Sequence, residues 1–141
     1  KRKPAFKRTF SEAEAIIMIS IAPPQSMSSK AITLRFRAVN RDIFEAIRDG
    51  RKKVETRAAT ARYRDIKAGD TLRFVCGKDA FEKKTKRVKL FKSIASLLRQ
   101  YRAEEINPFI KSKAELQKMY YSYPNYREKI KHLGIIAIEL S

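Results

Sequence analysis

The stretch Gly50-Arg-Lys-Lys-Val-Glu-Thr-Arg57 marks the change from a predicted helix to a predicted strand. Upstream, Asn40 can cap a helix, and Gly50 stands where helices commonly end. The apolar face of this helix carries Ile43, Phe44 and Ile47. Downstream, the alternation in Lys53–Arg57 predicts a strand.

The other periodic segments predict four more strands and three more helices. Alternating or continuous apolar residues place strands at Ile32–Phe36, Thr71–Cys76, Lys83–Lys92 and Gly134–Leu140. Helices are expected at Ile94–Arg102, Ser112–Tyr121 and Asn125–Gly134. Because the strands cluster in the middle of the chain and do not alternate with helices, the sequence predicts an α+β fold with a curled, barrel-like sheet of five to six mixed strands.

The first 29 residues differ from the rest of the chain. They open with the basic run Lys1–Arg8, which can be an arm for nucleic acid or a simple tail. A short helix is expected after Ser11, and Pro23-Pro24 breaks it. We therefore divide the chain into an extension or linker at residues 1–29 and one domain at residues 30–141. The alternative is a terminal helix packed on that domain.

The charge of the chain narrows the classes of partner. It carries 33 Lys and Arg against 15 Asp and Glu, a net charge of +18, which favours a polyanionic partner such as nucleic acid. One cysteine and one histidine give no disulfide framework and no His/Cys zinc site, so we expect no metal, no cofactor and a cytoplasmic protein. The chain lacks an apolar run long enough to cross a membrane, so no membrane partner is expected.

Three features in this order resemble the ASCH domain, a relative of the PUA RNA-binding fold with a small β-barrel. The first is the pattern G-x-K-x-x-E-x-R at Gly50–Arg57. The second is the turn Ile66-Lys-Ala-Gly-Asp-Thr-Leu72, and the third is the closing apolar strand Gly134–Leu140. The resemblance covers Ile32–Leu140 and implies a PUA-like barrel with flanking helices and a cleft for a nucleotide or an RNA strand.

The resemblance also implies which residues line that cleft, namely Lys52, Glu55 and Arg57. One bacterial branch of the family removes the acetyl group from N4-acetylcytidine with a lysine, a threonine and a glutamate. In this chain the lysine corresponds to Lys52, and the glutamate falls at Glu105 or Glu104. Glu55 stands in the place of the threonine hydroxyl, and a carboxylate cannot form the same ester intermediate.

Alternation along the strand divides this segment between two faces. Glu55 and Arg57 point the same way, and Val54 points into the barrel. Lys52 falls on the face of Val54, so it reaches Glu55 only if the chain is still turning after Gly50; otherwise Lys53 is the lysine of the cleft. In a binding site Arg57 would hold a phosphate or a base edge. The alternative is a structural ion pair.

Further basic residues extend the predicted surface. Arg62, Tyr63 and Arg64 follow the strand and combine cations with a ring that can stack on a base. The basic stripe Lys83–Lys92, which includes Lys86 and Lys89, carries six cations and no acid. It can track a phosphate backbone, or it can be a solvated edge strand protected by lysines.

These observations lead to two predicted functions. The first is a monomeric module that binds RNA or a nucleotide, including single-stranded nucleic acid, through a basic cleft. The second is a small hydrolase that acts on a modified nucleoside or an RNA bond with Lys52, Glu55 and Glu105. A module that binds an acidic protein partner is a third class.

Overall fold

The structure is a computed structural model that describes residues 29–141. The predicted basic extension, with its helix after Ser11, lies outside the described residues except for Ser29. The predicted boundary at residue 30 stays a prediction.

The described residues form five strands and six α-helices, in an order close to the predicted one. The strands are β1 (Ala31–Phe36), β2 (Val54–Ala58), β3 (Thr71–Cys76), β4 (Asp79–Phe91) and β5 (Ile135–Leu140). The helices are α1 (Arg41–Arg48), α2 (Ala61–Arg64), α3 (Ile94–Gln100), α4 (Ala103–Ile106), α5 (Lys113–Ser122) and α6 (Tyr126–Leu133), with a 3-10 turn at Ala38–Asn40 before α1. Strand β4 begins four residues earlier than predicted, and α2 and α4 lie where no separate helix was expected.

The strands form one mixed sheet in the order β1-β3-β4-β5-β2. Strands β1 and β3 are parallel, and the other neighbours are antiparallel. The long strand β4 pairs with β3 through its first half and with β5 through its second half, with an irregularity between Thr85 and Arg87. An irregularity of this kind bends a strand, and the sheet is curled into a half-barrel. The α+β class with a small PUA-like barrel and flanking helices is confirmed.

The pairing of β4 shows which neighbours the basic stripe Lys83–Lys92 has in the sheet. An edge strand protected by lysines was one possibility for Lys83–Lys92. In the structure this segment belongs to β4, which is third in the order of the sheet, and β1 and β2 are the end strands. However, β4 pairs with β3 only up to Lys84 and with β5 only from Thr85, so most of the stripe has one paired edge and one edge without a strand neighbour among residues 29–141. Both interpretations of the stripe therefore stay predictions.

Two hydrophobic cores lie on opposite faces of β5. One core contains Phe44, Leu72 and Phe74 inside the curled sheet, together with Ile138 of β5. The other packs α3 to α6 against the outside of β2 and β5 and includes Val54 and Ile135. Val54 was predicted to point into the barrel. Its side chain is buried, but it packs against the helices on the outer face of β2 and not in the interior of the half-barrel.

Candidate functional site

A cavity of about 380 Å³ lies beside β2, one end strand of the sheet, and is also lined by the end of β1, the other end strand. Three groups of residues line it. They are Arg35, Phe36, Arg37, Asn40 and Ile43 from β1 to α1; Lys52, Glu55, Thr56 and Arg57 around β2; and Ile106, Asn107, Met119, Tyr120, Tyr123, Pro124 and Tyr126 from the helices. The cleft, as we call this cavity, is therefore a basic and aromatic gap between the two ends of the half-barrel.

The turn after α1 decides which lysine enters the cleft. Gly50 has a φ of 87°, a conformation that glycine adopts readily, and the backbone N–H of Lys52 still donates to Ala46 C=O at 2.9 Å. The chain is thus still turning at Lys52. The Lys52 side chain is 5% exposed and lines the cleft, whereas Lys53 is exposed to solvent and does not line it.

The ammonium of Lys52 has a partner for each of its three hydrogens. Lys52 Nζ donates to Val54 C=O at 2.8 Å and to Ile106 C=O, and it lies 3.2 Å from Glu55 Oε1. Burial lowers the pKa of Lys52, and the neighbouring Glu55 carboxylate opposes that shift. Because all its donors are used, Lys52 fixes the end of β2 to the helical layer and supplies positive charge to Glu55.

Glu55 is buried and surrounded by donors. Its Oε1 accepts from the N–H of Thr56 at 3.2 Å and faces Lys52, and its Oε2 accepts from Arg57 at 3.0 Å. Burial alone would raise the pKa of the Glu55 carboxyl, but Lys52 and Arg57 outweigh burial and hold that pKa below its usual value. Glu55 is therefore an acceptor that remains ionised.

Arg57 connects this buried pair to the open side of the cleft. Its side chain is 24% exposed, and one NH2 group donates to Glu55. Burial alone would lower its pKa, but Glu55 raises it, so the guanidinium stays charged. The guanidinium lies 6.0 Å from the ring centre of Phe36 and 5.5 Å from that of Tyr63. Its other N–H groups have no hydrogen-bond partner within residues 29–141, so they are available to a ligand.

Two of the residues predicted to extend the site after β2, Arg62 and Tyr63, form cation–π contacts together with Arg57. The Arg62 guanidinium also lies 5.5 Å from the ring centre of Tyr63, and its NH2 group donates to Thr33 C=O on β1. Arg64 is exposed. Arg57, Tyr63 and Arg62 thus form a continuous arrangement of cations around one ring, although Tyr63 and Arg62 do not line the cleft itself.

The remaining predicted site residues lie outside the cleft. Glu105 accepts from the N–H of Arg102 at 2.9 Å at the start of α4 and does not line the cavity. Its neighbour Ile106 reaches Lys52 instead, through its carbonyl. Lys86 is exposed on β4, and Lys89 Nζ lies 3.4 Å from Gln100 Oε1. The structure therefore brings Lys52, Glu55 and Arg57 together and leaves Glu105 apart from them.

Three tyrosines that were not predicted as site residues, Tyr120, Tyr123 and Tyr126, form one wall of the cleft. The rings of Tyr120 and Tyr126 are stacked with 6.4 Å between their centres, and Tyr123 meets Tyr126 edge-on at 5.2 Å. Tyr120 is buried, and its hydroxyl bonds to Thr56 Oγ1. Tyr123 is 43% exposed. The density of tyrosines between residues 120 and 126 was the available signal, but no spacing rule connects it to β2.

Arg35 and Arg37 were also not predicted as site residues. Both are exposed, and both line the cleft on either side of Phe36. The strand pattern identified them only as the polar face of β1. Within the described part of the chain, no group of three or more His, Cys, Asp or Glu residues is arranged to hold a metal ion. Within residues 29–141, no helix combines the length and apolar character needed to cross a membrane.

Comparisons with known proteins give structural relatives without a described function. No family model and no curated protein matches the chain. The crystal structure of the hypothetical protein PH0355 has a TM-score of 0.68 and 29% identity, and the match covers 79% of this chain and 97% of that one. The solution structure of protein PF0455 from Pyrococcus furiosus has a TM-score of 0.62 and 27% identity, with coverage of 78% and 96%. The chain thus shares its fold with two archaeal proteins.

Proposed function

We propose that this protein is a cytoplasmic, ASCH-type member of the PUA-like group that binds RNA or a nucleotide in the cleft beside β2. The observation that carries the proposal is the state of Arg57. Its guanidinium is fixed by the buried carboxylate of Glu55, lies near two aromatic rings, and keeps free donors on the open side of the cleft. Arginine in such a setting binds phosphate oxygens and base edges.

The surroundings of Arg57 support a single-stranded ligand. Aromatic rings from α5 and α6 line the same cavity as three arginines, and bases stack on such rings while cations contact the phosphates. Arg35 and Arg37 lie at the exposed rim of the cleft. The positive surface continues beyond the cleft through Arg62, Arg64 and the stripe Lys83–Lys92. A longer RNA strand would follow this surface.

The chemistry of the cleft favours binding over the hydrolase alternative. Lys52 has its three hydrogens occupied, and Glu105 is engaged at the start of α4. A general acid or base must reach the proton that it transfers, and these two groups do not meet in one cavity.

The test measures the affinity of the full chain for a fluorescent single-stranded RNA of mixed sequence. Arg57→Ala removes charged hydrogen bonds and is expected to weaken binding by roughly 10-fold or more. Arg99→Ala is the matched control, because Arg99 is exposed on α3 and outside the cleft, and it removes the same charge. Because Arg57 also contacts Glu55, Arg37→Ala is a second variant of the cleft that leaves the buried pair intact.

Two results would contradict RNA binding through these residues, and a third would contradict the cleft as the site. One is unchanged affinity in both Arg57→Ala and Arg37→Ala, with thermal unfolding showing that the variants are folded. The other is the absence of RNA binding by the unmodified chain at low salt. Equal losses in Arg57→Ala and Arg99→Ala would indicate that charge alone acts and would remove the cleft from the interface.

A further inference from the structure

The cleft exposes part of the open edge of β2, and the pairing register shows which backbone groups lie there. Leu140 N–H donates to Lys53 C=O, and Ala59 N–H donates to Gly134 C=O, at both ends of the β2–β5 ladder. In an antiparallel ladder, every second residue makes these bonds. Residues 53, 55, 57 and 59 therefore face β5, and the N–H and C=O groups of Thr56 and Ala58 point away from it, at the end of the sheet.

Three of these four outward groups are bonded within the protein. Thr56 N–H donates to Glu55 Oε1 at 3.2 Å, Ala58 N–H donates to the Tyr126 hydroxyl at 3.2 Å, and Ala58 C=O accepts from Thr60 N–H at 2.7 Å. The fourth group is Thr56 C=O, for which residues 29–141 provide no donor. Thr56 is 8% exposed and lines the cleft. A backbone acceptor that has no partner within the protein, in a residue that is largely buried, is available to a ligand in the cleft that donates a hydrogen bond.

The groups next to Thr56 C=O complete a set that can be complementary to a base. Glu55 Oε2 accepts only from Arg57, so it has room for one more donor. The Tyr126 hydroxyl accepts from Ala58, and its own hydrogen has no acceptor among residues 29–141. Arg57 has free N–H groups on the same wall. Because all four residues line the cleft, it can present two acceptors and two kinds of donor to one ligand.

We propose, on the basis of the proposed function, that the open edge of β2 pairs with the hydrogen-bonding edge of one unpaired nucleobase that carries an exocyclic amino group. The base occupies the place that a neighbouring strand would take. Its amino group donates to Thr56 C=O and Glu55 Oε2, and its ring nitrogen or carbonyl accepts from Arg57 or Tyr126. Phe36 and the exposed ring of Tyr123 offer faces for stacking in the same cavity.

This arrangement selects among bases by their donors. Cytosine, adenine and guanine carry an amino group with two N–H donors, whereas uracil has one ring N–H between two carbonyl oxygens. Those oxygens would leave Thr56 C=O and Glu55 Oε2 without enough donors once the bound base displaces water from them, which is costly. A base in a duplex cannot bind in this way, because its pairing edge is already occupied.

The experiment compares three single-stranded oligomers of equal length with the full chain: oligocytidine, oligouridine and a ribose-phosphate oligomer without bases. Cytosine and uracil are similar in size, so the difference in affinity between oligocytidine and oligouridine reports the contribution of the amino group. We expect oligocytidine to bind about 10-fold or more tightly than oligouridine, since two acceptors lose their donor in the uridine complex. The oligomer without bases is expected to bind no more tightly than oligouridine.

A pair of tyrosine variants tests the edge itself. Tyr126→Phe keeps the ring and removes the hydroxyl, and we expect it to weaken oligocytidine binding by about 3- to 10-fold while binding of the base-free oligomer is unchanged. Tyr121→Phe is the control, because Tyr121 is exposed on α5 and does not line the cleft. Thermal unfolding of both variants reports whether the lost bond to Ala58 affects folding.

The outcomes separate this inference from the proposed function. If the three oligomers bind equally, the protein binds the backbone alone, so the inference is wrong and the proposed function stands. A preference for oligouridine, or a loss in Tyr126→Phe that is as large for the base-free oligomer, would also overturn the inference. If none of the oligomers binds, both proposals fail.

Discussion

At the scale of single residues, Lys52 and Glu55 combine a structural role with a role in the site. Both are about 5% exposed, and their contacts hold Val54, Thr56 and Ile106 in place. A buried charge is tolerated only when it is paired, so each of the two residues makes the other possible. Because the donors of Lys52 are all used inside the fold, Arg57 is the cation of this cluster that keeps free N–H groups for a ligand.

Glu55→Gln tests the pair. The change keeps the shape of the side chain but leaves the Lys52 ammonium buried without a counter-ion, so we expect the free energy of unfolding to fall by about 3 kcal/mol. Urea unfolding at neutral pH measures it. Glu82→Gln is the control, because Glu82 is 57% exposed and lies 4.0 Å from Arg73, and a change of less than about 0.5 kcal/mol is expected there.

The pH dependence of stability gives a second prediction about Glu55. Its pKa lies below the ordinary value of 4.5 in the folded protein. The unfolded chain therefore binds a proton first as the pH falls, and the stabilisation by Glu55 is complete above about pH 5 and is lost as the pH falls through the folded-state pKa. The difference in unfolding free energy between the unmodified chain and Glu55→Gln should thus shrink on acidification. A difference that is constant from pH 7 to pH 3 would exclude a coupled, ionised Glu55.

At the scale of the elements, Gly134 fixes how α6 joins β5. Its backbone has φ 87° and ψ −176°, a region that residues with a side chain rarely adopt. A Cβ atom at this position would meet Phe91 O at 2.6 Å. Gly134→Ala therefore combines backbone strain with a clash, and we expect a loss of about 2 to 5 kcal/mol of unfolding free energy.

Gly69→Ala is the matched control for that prediction. Gly69 also has a positive φ of 93°, but no atom lies within 4 Å of a Cβ built there. It should lose only about 1 to 3 kcal/mol, the cost of the backbone conformation. Equal losses in the two variants, measured by urea unfolding, would show that the close contact with Phe91 is relieved at no cost.

The elements also show where reasoning from the sequence succeeds. Periodicity identified all five strands, because each has apolar positions that the cores bury, such as Leu34 in β1 and Phe74 in β3. It placed the start of β4 at Lys83, since Asp79–Glu82 offers only Phe81 as a large apolar residue. The start of β4 is fixed instead by pairing with β3 from Cys76 and Asp79 onward, which local patterns do not report.

The candidate site was predictable only in the part that is local in sequence. Lys52, Glu55 and Arg57 lie within six residues, so the turn and the alternation brought them together correctly. The tyrosine wall was not assigned to the site, because Tyr120 and Thr56 are 64 residues apart and meet only through helix packing. Glu105 is next to Ile106, whose carbonyl accepts from Lys52. The side chain of Glu105 nevertheless accepts from the N–H of Arg102 at the start of α4 and not from Lys52.

At the scale of the whole molecule, the positive charge is not confined to the terminal extension. Five of the 33 cations and two of the 15 acids precede residue 29, so residues 29–141 carry a net charge of +15. Lys52 and Glu55 compensate each other inside the fold. The excess therefore lies on the surface, where it repels itself and attracts a polyanion over distances set by the salt concentration.

This distribution predicts how affinity for RNA depends on salt. Each lysine that neutralises a phosphate releases counter-ions, so the logarithm of the binding constant should fall linearly with the logarithm of the salt concentration. If Lys86 and Lys89 of the basic stripe follow the backbone of a long RNA, Lys86→Ala combined with Lys89→Ala should make this slope shallower by about 1 to 2. Tyr126→Phe removes no charge and should leave the slope unchanged.

The control for the stripe removes the same charge elsewhere. Lys113 and Lys118 are exposed on α5 and do not line the cleft, so Lys113→Ala combined with Lys118→Ala should change the slope less than the variant of the stripe. Titrations of one fluorescent RNA at several salt concentrations provide all the slopes. Equal slopes for the stripe variant and the unmodified chain would show that Lys86 and Lys89 do not contact the phosphates, and the cations of the cleft, Arg35, Arg37 and Arg57, would then be the next to test by the same slope.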